Sequence, residues 1–218
     1  MSWAAVLFDL DGTLADTVQL ILSSYRHTMK IHRGRELPDE LWLATLGRPL
    51  EDSMAMFADG PDEAHAMAET YVAFQRTVHD DLVRPYPGAR ELTSALAAEG
   101  VAMGVVTSKR REMALRTLER CGLMLAADLL VTPEDVERGK PDPEPVRCAL
   151  DRLSLLDRPS DVLFVGDSPF DLEAGRGAGV RTAAATWGPF AREQLEAERP
   201  DYLLETPLDL LRLEPRPV

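Results

Sequence analysis

Asp9 and Asp11 stand two residues apart in the run Phe8-Asp9-Leu10-Asp11-Gly12-Thr13-Leu14. Alternate residues of an extended chain project to one side, so the two carboxylates can face the same way while Leu10 faces the other. Two carboxylates brought together and taken out of water repel each other, and a cation or a shared proton relieves the cost. Three more groups able to do chemistry follow along the chain. Thr107-Ser108-Lys109 closes an apolar run; hydroxyls and exposed backbone amides there can donate to phosphate oxygens, and Thr107 serves equally well as a plain helix N-cap. Lys140 lies in Arg138-Gly139-Lys140-Pro141-Asp142-Pro143, where glycine and repeated prolines hold the backbone and suit a point charge aimed at an anion. Gly166-Asp167-Ser168-Pro169-Phe170-Asp171 adds two acids four residues apart, which share a face if the turn is helical. Hard cations want several oxygen ligands, and magnesium takes one or two carboxylates plus waters. Asp9 and Asp167 can supply these from neighbouring strands. Asp171 reads either as an acid favoured at a helix N-terminus or as a support behind the ligands.

Each group closes or follows a short apolar stretch, and these stretches read as strands. They lie at 4–8, 101–106, 128–131 and 162–165, with weaker candidates at 181–185 and 202–204. Helical spacing fills the intervals 89–99, 111–121, 145–156 and 170–178. Alternation of this kind predicts an α/β fold, a Rossmann-like, mostly parallel sheet with helices on both faces and right-handed crossovers. Open sheets of this type place their chemistry at the carboxyl ends of the strands.

Residues 18–82 break the rhythm. No strand pattern occurs there, only helical segments at 18–32, 39–45, 50–58 and 62–81, punctuated by Pro38, Gly47-Arg48-Pro49 and Gly60-Pro61. This predicts an inserted all-α helical domain (18–82) within an α/β core made of 1–17 and 83–218. Hinges at Asp16-Thr17 and 83–87 would let it close over the site. Arg48, in the loop 46–50, can meet a substrate carboxylate or a second phosphate, or it is a solvated arginine of a helix-connecting turn. Arg26, Lys30 and Arg33 read as surface charges, and 214–218 as a frayed tail.

The chain of 218 residues carries 37 acidic and 24 basic side chains, a formal net charge of −13. That balance argues against a nucleic-acid backbone or an anionic membrane as partner, while a metal ion and a few local cations leave a small phosphorylated metabolite open. Charged Asp9 and Asp11 interrupt the first apolar run, so no secretion signal is expected, and no stretch approaches the roughly 20 apolar residues of a membrane span. Cys121 and Cys148 lack metal-ligand spacing and read as reduced thiols. Together these imply a cytoplasmic protein; nothing in the sequence fixes its oligomeric state.

Taken in order, Asp9-Leu10-Asp11-Gly12-Thr13, Thr107, Lys140-Pro141 and Gly166-Asp167-Ser168 with Asp171 resemble the haloacid dehalogenase superfamily of phosphatases. The resemblance runs from Val6 to about Thr186, and the helical insertion resembles that of its small-cap members. It implies Asp9 as nucleophile, forming an aspartyl-phosphate, and Asp11 as general acid and then base. It also implies magnesium held by Asp9, the Asp11 carbonyl and Asp167, with Thr107, Ser108 and Lys140 on the phosphoryl group. The chain is most similar to phosphoglycolate phosphatase-like enzymes, and pyrophosphatase relatives are the alternative. A β-phosphoglucomutase is disfavoured, since Leu46 and Leu50 stand where that loop resembles lysine and arginine. A haloalkanoic-acid dehalogenase would not need Asp11. A non-catalytic regulatory module should have lost one of Asp9, Asp11, Lys140 or Asp167, and all four are present.

Overall fold

The computed structural model describes residues 3–123 and 129–213. The chain runs β1 (Ala5–Phe8), β2 (Ala15–Asp16), α1 (Val18–Arg33), α2 (Asp39–Leu43), α3 (Leu50–Ala55), α4 (Pro61–Leu82) and β3 (Arg84–Pro85). It continues through α5 (Ala89–Ala98), β4 (Ala102–Val106), α6 (Arg111–Cys121), β5 (Leu130–Val131) and α7 (Glu144–Arg152). It ends with β6 (Val162–Gly166), α8 (Pro169–Ala178), β7 (Arg181–Ala185), α9 (Arg192–Ala197) and β8 (Tyr202–Leu204).

Six strands form one sheet in the order β5-β4-β1-β6-β7-β8, and every neighbouring pair is parallel. A parallel sheet must be covered on both faces, which explains the unbroken apolar runs. Side chains of β1 divide accordingly. Val6 and Phe8 join Leu92, Leu96 and Leu118 from α5 and α6, whereas Ala5 and Leu7 join Val146, Leu150 and Ala174 from α7 and α8. Phe8 lies level with Val105 on one side and Val165 on the other. The residues that follow these three strands therefore emerge side by side at one edge of the sheet.

Residues 18–82 contain only helices and their connections, as expected. Tyr25, Met29, Trp42, Met54 and Met67 bury a core of their own, in which the Tyr25 and Trp42 rings stack at 4.9 Å between centroids. Met113, on α6, belongs to this cluster too, so the insertion's core is completed from outside the insertion. The entry and exit strands pair antiparallel, Ala15 with Pro85 and Asp16 with Arg84. This two-stranded ribbon, absent from the sequence reading, brings both hinge segments together.

Several boundaries differ from expectation for local reasons. The helix expected to reach 156 ends at Arg152, because Ser154 turns the chain at a φ of 56°. The one expected to reach 58 ends at Ala55. There Met56 and Phe57 tighten into bonds three residues back, and the Phe57 ring packs on Tyr25. Arg26 and Arg33 are not free surface charges: Arg26 pairs with Asp39, and Arg33 holds Glu63 and the Phe57 carbonyl, tying α1 to the following helices. Of the expected strand 128–131, Asp128 lies outside the described residues, as do 214–218. Cys121 and Cys148 are both free thiols. Among the described residues no helix is long and apolar enough to cross a membrane.

Candidate active site

Asp9 is the first residue past β1, and its amide donates to the Val165 carbonyl at 2.8 Å, which extends the strand register by one residue and fixes the carboxylate at the sheet edge. Its side chain is buried, as are those of Lys140, Asp167 and Asp171. Lys140 reaches this edge from the loop before α7. Its Nζ donates to Asp9 Oδ1 at 2.8 Å, to Asp171 Oδ1 at 2.6 Å and to the Val106 carbonyl at 3.3 Å, so all three ammonium protons are used. Asp171 is held by a reciprocal cap at the start of α8. The Ser168 amide donates to Asp171 Oδ2 at 3.0 Å, and the Ser168 hydroxyl bonds the same oxygen. Asp167 Oδ1 accepts from the Thr13 hydroxyl at 2.7 Å. Gly12 turns at a φ of 88°, and a Cβ there would overlap the Asp167 carboxylate. Only glycine lets the first loop approach the end of β6 this closely.

Carboxylate oxygens of Asp9, Asp167 and Asp171 lie within 4.8 Å of one another, and a single ammonium faces the three acids. The electrostatics follow. Burial pushes the Asp9 carboxyl up to about 7, against the pull of Lys140 and with the help of Asp171 and Asp11. Burial also drives Asp167 well above the ordinary carboxylate range, reinforced by the charges of Asp171 and Asp9. Burial disfavours the charged form of Lys140, but Asp171 and Asp9 outweigh it and raise its proton affinity. An all-oxygen, net-negative, buried set of this kind fits a small hard divalent cation. The sequence left Asp171 as either a helix N-terminal acid or a support behind the ligands; in the structure a carboxylate oxygen of Asp171 stands among the clustered acids, while its Oδ1 bonds Lys140 and its Oδ2 serves the α8 cap.

The remaining expected residues gather around a cavity of about 90 Å³ at the same edge. Thr107 lines it, and its Oγ1 accepts the Lys109 amide at 3.1 Å; the hydroxyl thus caps its own turn and keeps its proton for another acceptor. Ser108 departs from expectation. Its hydroxyl donates to the Gly47 carbonyl at 2.6 Å, so its one proton serves the insertion rather than a phosphate. Arg48 lines the cavity from the insertion, its guanidinium 4.7 Å from the centre of the Phe170 ring. Ile21, Trp42, Leu46, Leu50 and Val72 give the insertion's side of the cavity an apolar wall around Arg48, facing the acids and Lys109 of the core.

Two contributors escaped the sequence reading. Trp187 donates its indole N–H to the Thr13 carbonyl at 2.9 Å and braces the first loop; an isolated tryptophan after a weak strand carries no signal of that contact. Lys109 donates to Asp11 Oδ1 at 2.7 Å. It sat inside a motif already singled out, yet nothing in the spacing of residues 98 apart foretells the pair.

A family profile of haloacid dehalogenase-like hydrolases matches residues 6–185. The chain belongs to that family. It is an enzyme, a hydrolase of the phosphatase type. Pyrophosphatase PpaX of Bacillus velezensis is 40% identical over 210 residues, covering 96% of this chain and 95% of that protein. A Caldanaerobacter subterraneus protein provisionally named pyrophosphatase PpaX is also 40% identical, over 214 residues, covering 98% and 95%. Among solved structures, a Lactobacillus plantarum protein provisionally named phosphoglycolate phosphatase superposes with a TM-score of 0.81 at 26% identity, covering 98% of this chain and 100% of that one.

Proposed function

We propose that this haloacid dehalogenase-like hydrolase is a cytoplasmic, magnesium-dependent phosphatase that hydrolyses pyrophosphate through an aspartyl-phosphate on Asp9. The sequence alone ranked phosphoglycolate first. The observation that carries the change is the 40% identity, over nearly the full chain, to a protein named as a pyrophosphatase. A cavity of only about 90 Å³ beside the acids suits a compact substrate. A reducing compartment suits the two free thiols.

In this reading Asp9, Asp167 and the Asp11 carbonyl would hold the magnesium ion, with Asp171 beside them. When bound, the ion offsets the charge of the acids and of the phosphoryl oxygens. An Asp9 oxygen attacks phosphorus as the bond to the leaving phosphate breaks, and the Asp11 carboxyl gives that leaving oxygen its proton. A water then attacks the phosphorus of phospho-Asp9 and yields its proton to Asp11, releasing orthophosphate and restoring the Asp9 carboxylate and the protonated Asp11 carboxyl. Thr107 donates its free hydroxyl proton to the transferring group. Lys140 keeps Asp9 oriented and adds positive charge, so positioning and electrostatics supply most of the acceleration. Arg48 contributes charge from the insertion toward the far phosphate.

Phosphoglycolate is the second reading, favoured by the 26% identical structural neighbour. The test is magnesium-dependent phosphate release from pyrophosphate, phosphoglycolate and sugar phosphates. A kcat/KM for pyrophosphate well above the others is expected. A preference for phosphoglycolate would replace the substrate assignment, and no turnover of any phosphate would end the proposal.

A further inference from the structure

We infer that Lys109 is a positioning residue for the general acid, holding the Asp11 carboxyl group by one oxygen so that the other faces the leaving group. The inference rests on the proposed role of Asp11 and deepens it. Lys109 is buried to 9% exposure although it lies on a turn between a strand and a helix, a place where lysine ordinarily reaches for water. Its ammonium instead turns inward to Asp11 Oδ1 at 2.7 Å. Asp11 Oδ2 accepts no hydrogen bond from the described residues, and Asp11 lines the cavity. A free aspartate side chain turns about two torsions. The Lys109 bond, anchored through a backbone whose amide is itself fixed on Thr107, removes that freedom.

The arrangement also links two chemical tasks. Thr107 and Lys109 lie on one turn, braced on one side by β5 through the Thr107 amide and the Val131 carbonyl, at 3.0 Å. Ser108, between them, bonds Gly47 of the insertion. The same three residues thus set a candidate phosphoryl donor, the insertion's contact and the orientation of the acid. A displacement near 1 Å of a reacting group costs about 10²-fold in rate, so an acid free to turn away would forfeit much of its contribution.

The test uses two aryl phosphates that differ in how much the leaving oxygen needs a proton. Phenyl phosphate expels a basic oxygen and p-nitrophenyl phosphate a weakly basic one. The measured quantity is the ratio of their kcat values within each variant, which does not depend on the fraction of protein folded. Asp11→Asn should favour p-nitrophenyl phosphate by about 10²-fold or more, the range of general acid catalysis. Lys109→Met should shift the ratio the same way by about tenfold to 10²-fold, Lys109→Arg should restore part of it, and the double variant should shift it no further than Asp11→Asn alone. A ratio that moves in Asp11→Asn but stays at the wild-type value in Lys109→Met overturns the positioning role. So does a Lys109→Met variant whose only change is a higher KM for both substrates. A ratio unmoved by Asp11→Asn refutes the acid assignment itself, and the inference falls with it.

Discussion

Two sets of charges organise this molecule in opposite settings. At the sheet edge Lys140 is enclosed with Asp9 and Asp171, with Asp167 alongside. Along the seam where the insertion meets α6 and the residue before it, Arg76 of α4 pairs with Glu112, Arg116 with Asp80, and Arg110 with both Glu51 of α3 and Glu69 of α4. The first set is dry, the second mostly open to water. A buried charge cluster carries a desolvation penalty and is costly to break, whereas exposed pairs are screened and individually weak. The sheet edge thus concentrates repulsion that a cation and a substrate can use, while the seam aligns two helices at little cost.

The sharpest test of that contrast is Asp9→Asn. Phosphate release should fall by about 10⁴-fold or more, while the thermal midpoint stays level or rises, because one of three repelling acids loses its charge. Full activity in the purified variant would remove Asp9 from the mechanism. Lys140→Met works in the other direction: it strands Asp9 and Asp171 without their cation, and urea unfolding should show a loss of about 3–5 kcal/mol. Wild-type stability there would deny the buried pairing.

The seam should respond more weakly. A buried polar link there is His79, whose Nε2 lies 2.9 Å from the Thr117 hydroxyl and whose Nδ1 lies 2.8 Å from Asp80. Thr117→Val leaves that ring nitrogen without a partner and should cost about 1–3 kcal/mol in urea unfolding. The two regions should also differ in the sign of their pH response. Asp9 rises on folding from 3.8 to about 7, so the folded state binds the extra proton between those values. Stability of chelator-treated protein should fall as pH climbs from about 4 to about 7, and magnesium should abolish the decline. Asp80 is lowered to about 2, chiefly by its hydrogen bond to Arg116. Its share is present above the ordinary carboxylate range and is lost as pH drops toward 2. Melting curves across pH, with and without magnesium, read both slopes, and a rise in stability of the metal-free protein toward pH 7 would contradict the first. Smallest of all, Arg76→Ala should move the melt slightly at low salt and not at high salt.

The core was legible because its signals are local. An apolar run ending in Asp9, and another ending in Gly166-Asp167, mark strand and chemistry together, and parallel pairing brings them to one edge. Lys140 was legible for its rigid proline-rich loop. What lies between residues distant in sequence was not. Arg116 and Asp80 read like any solvated charges until α4 and α6 are set side by side, and Lys109 had no visible reason to choose Asp11. Ser108 shows the limit most plainly. Its neighbours suggested a phosphate donor, but its proton goes to Gly47, 61 residues earlier, a choice made by docking of the insertion and written in no local pattern.

The ribbon of β2 and β3 has one last implication. Because Ala15 faces Pro85 and Asp16 faces Arg84, the polypeptide departs from the sheet and returns to it at adjacent points. The architecture therefore works like a socket: the parallel sheet tolerates whatever is plugged in there, or a short turn in its place. Much of the constraint sits on α6 and the turn before it, where Met113, Arg116, Arg110 and Ser108 meet this particular plug. Exchanging the insertion for another would call for rewriting that helix together with Ser108 and Phe170, which meet Gly47 and Arg48.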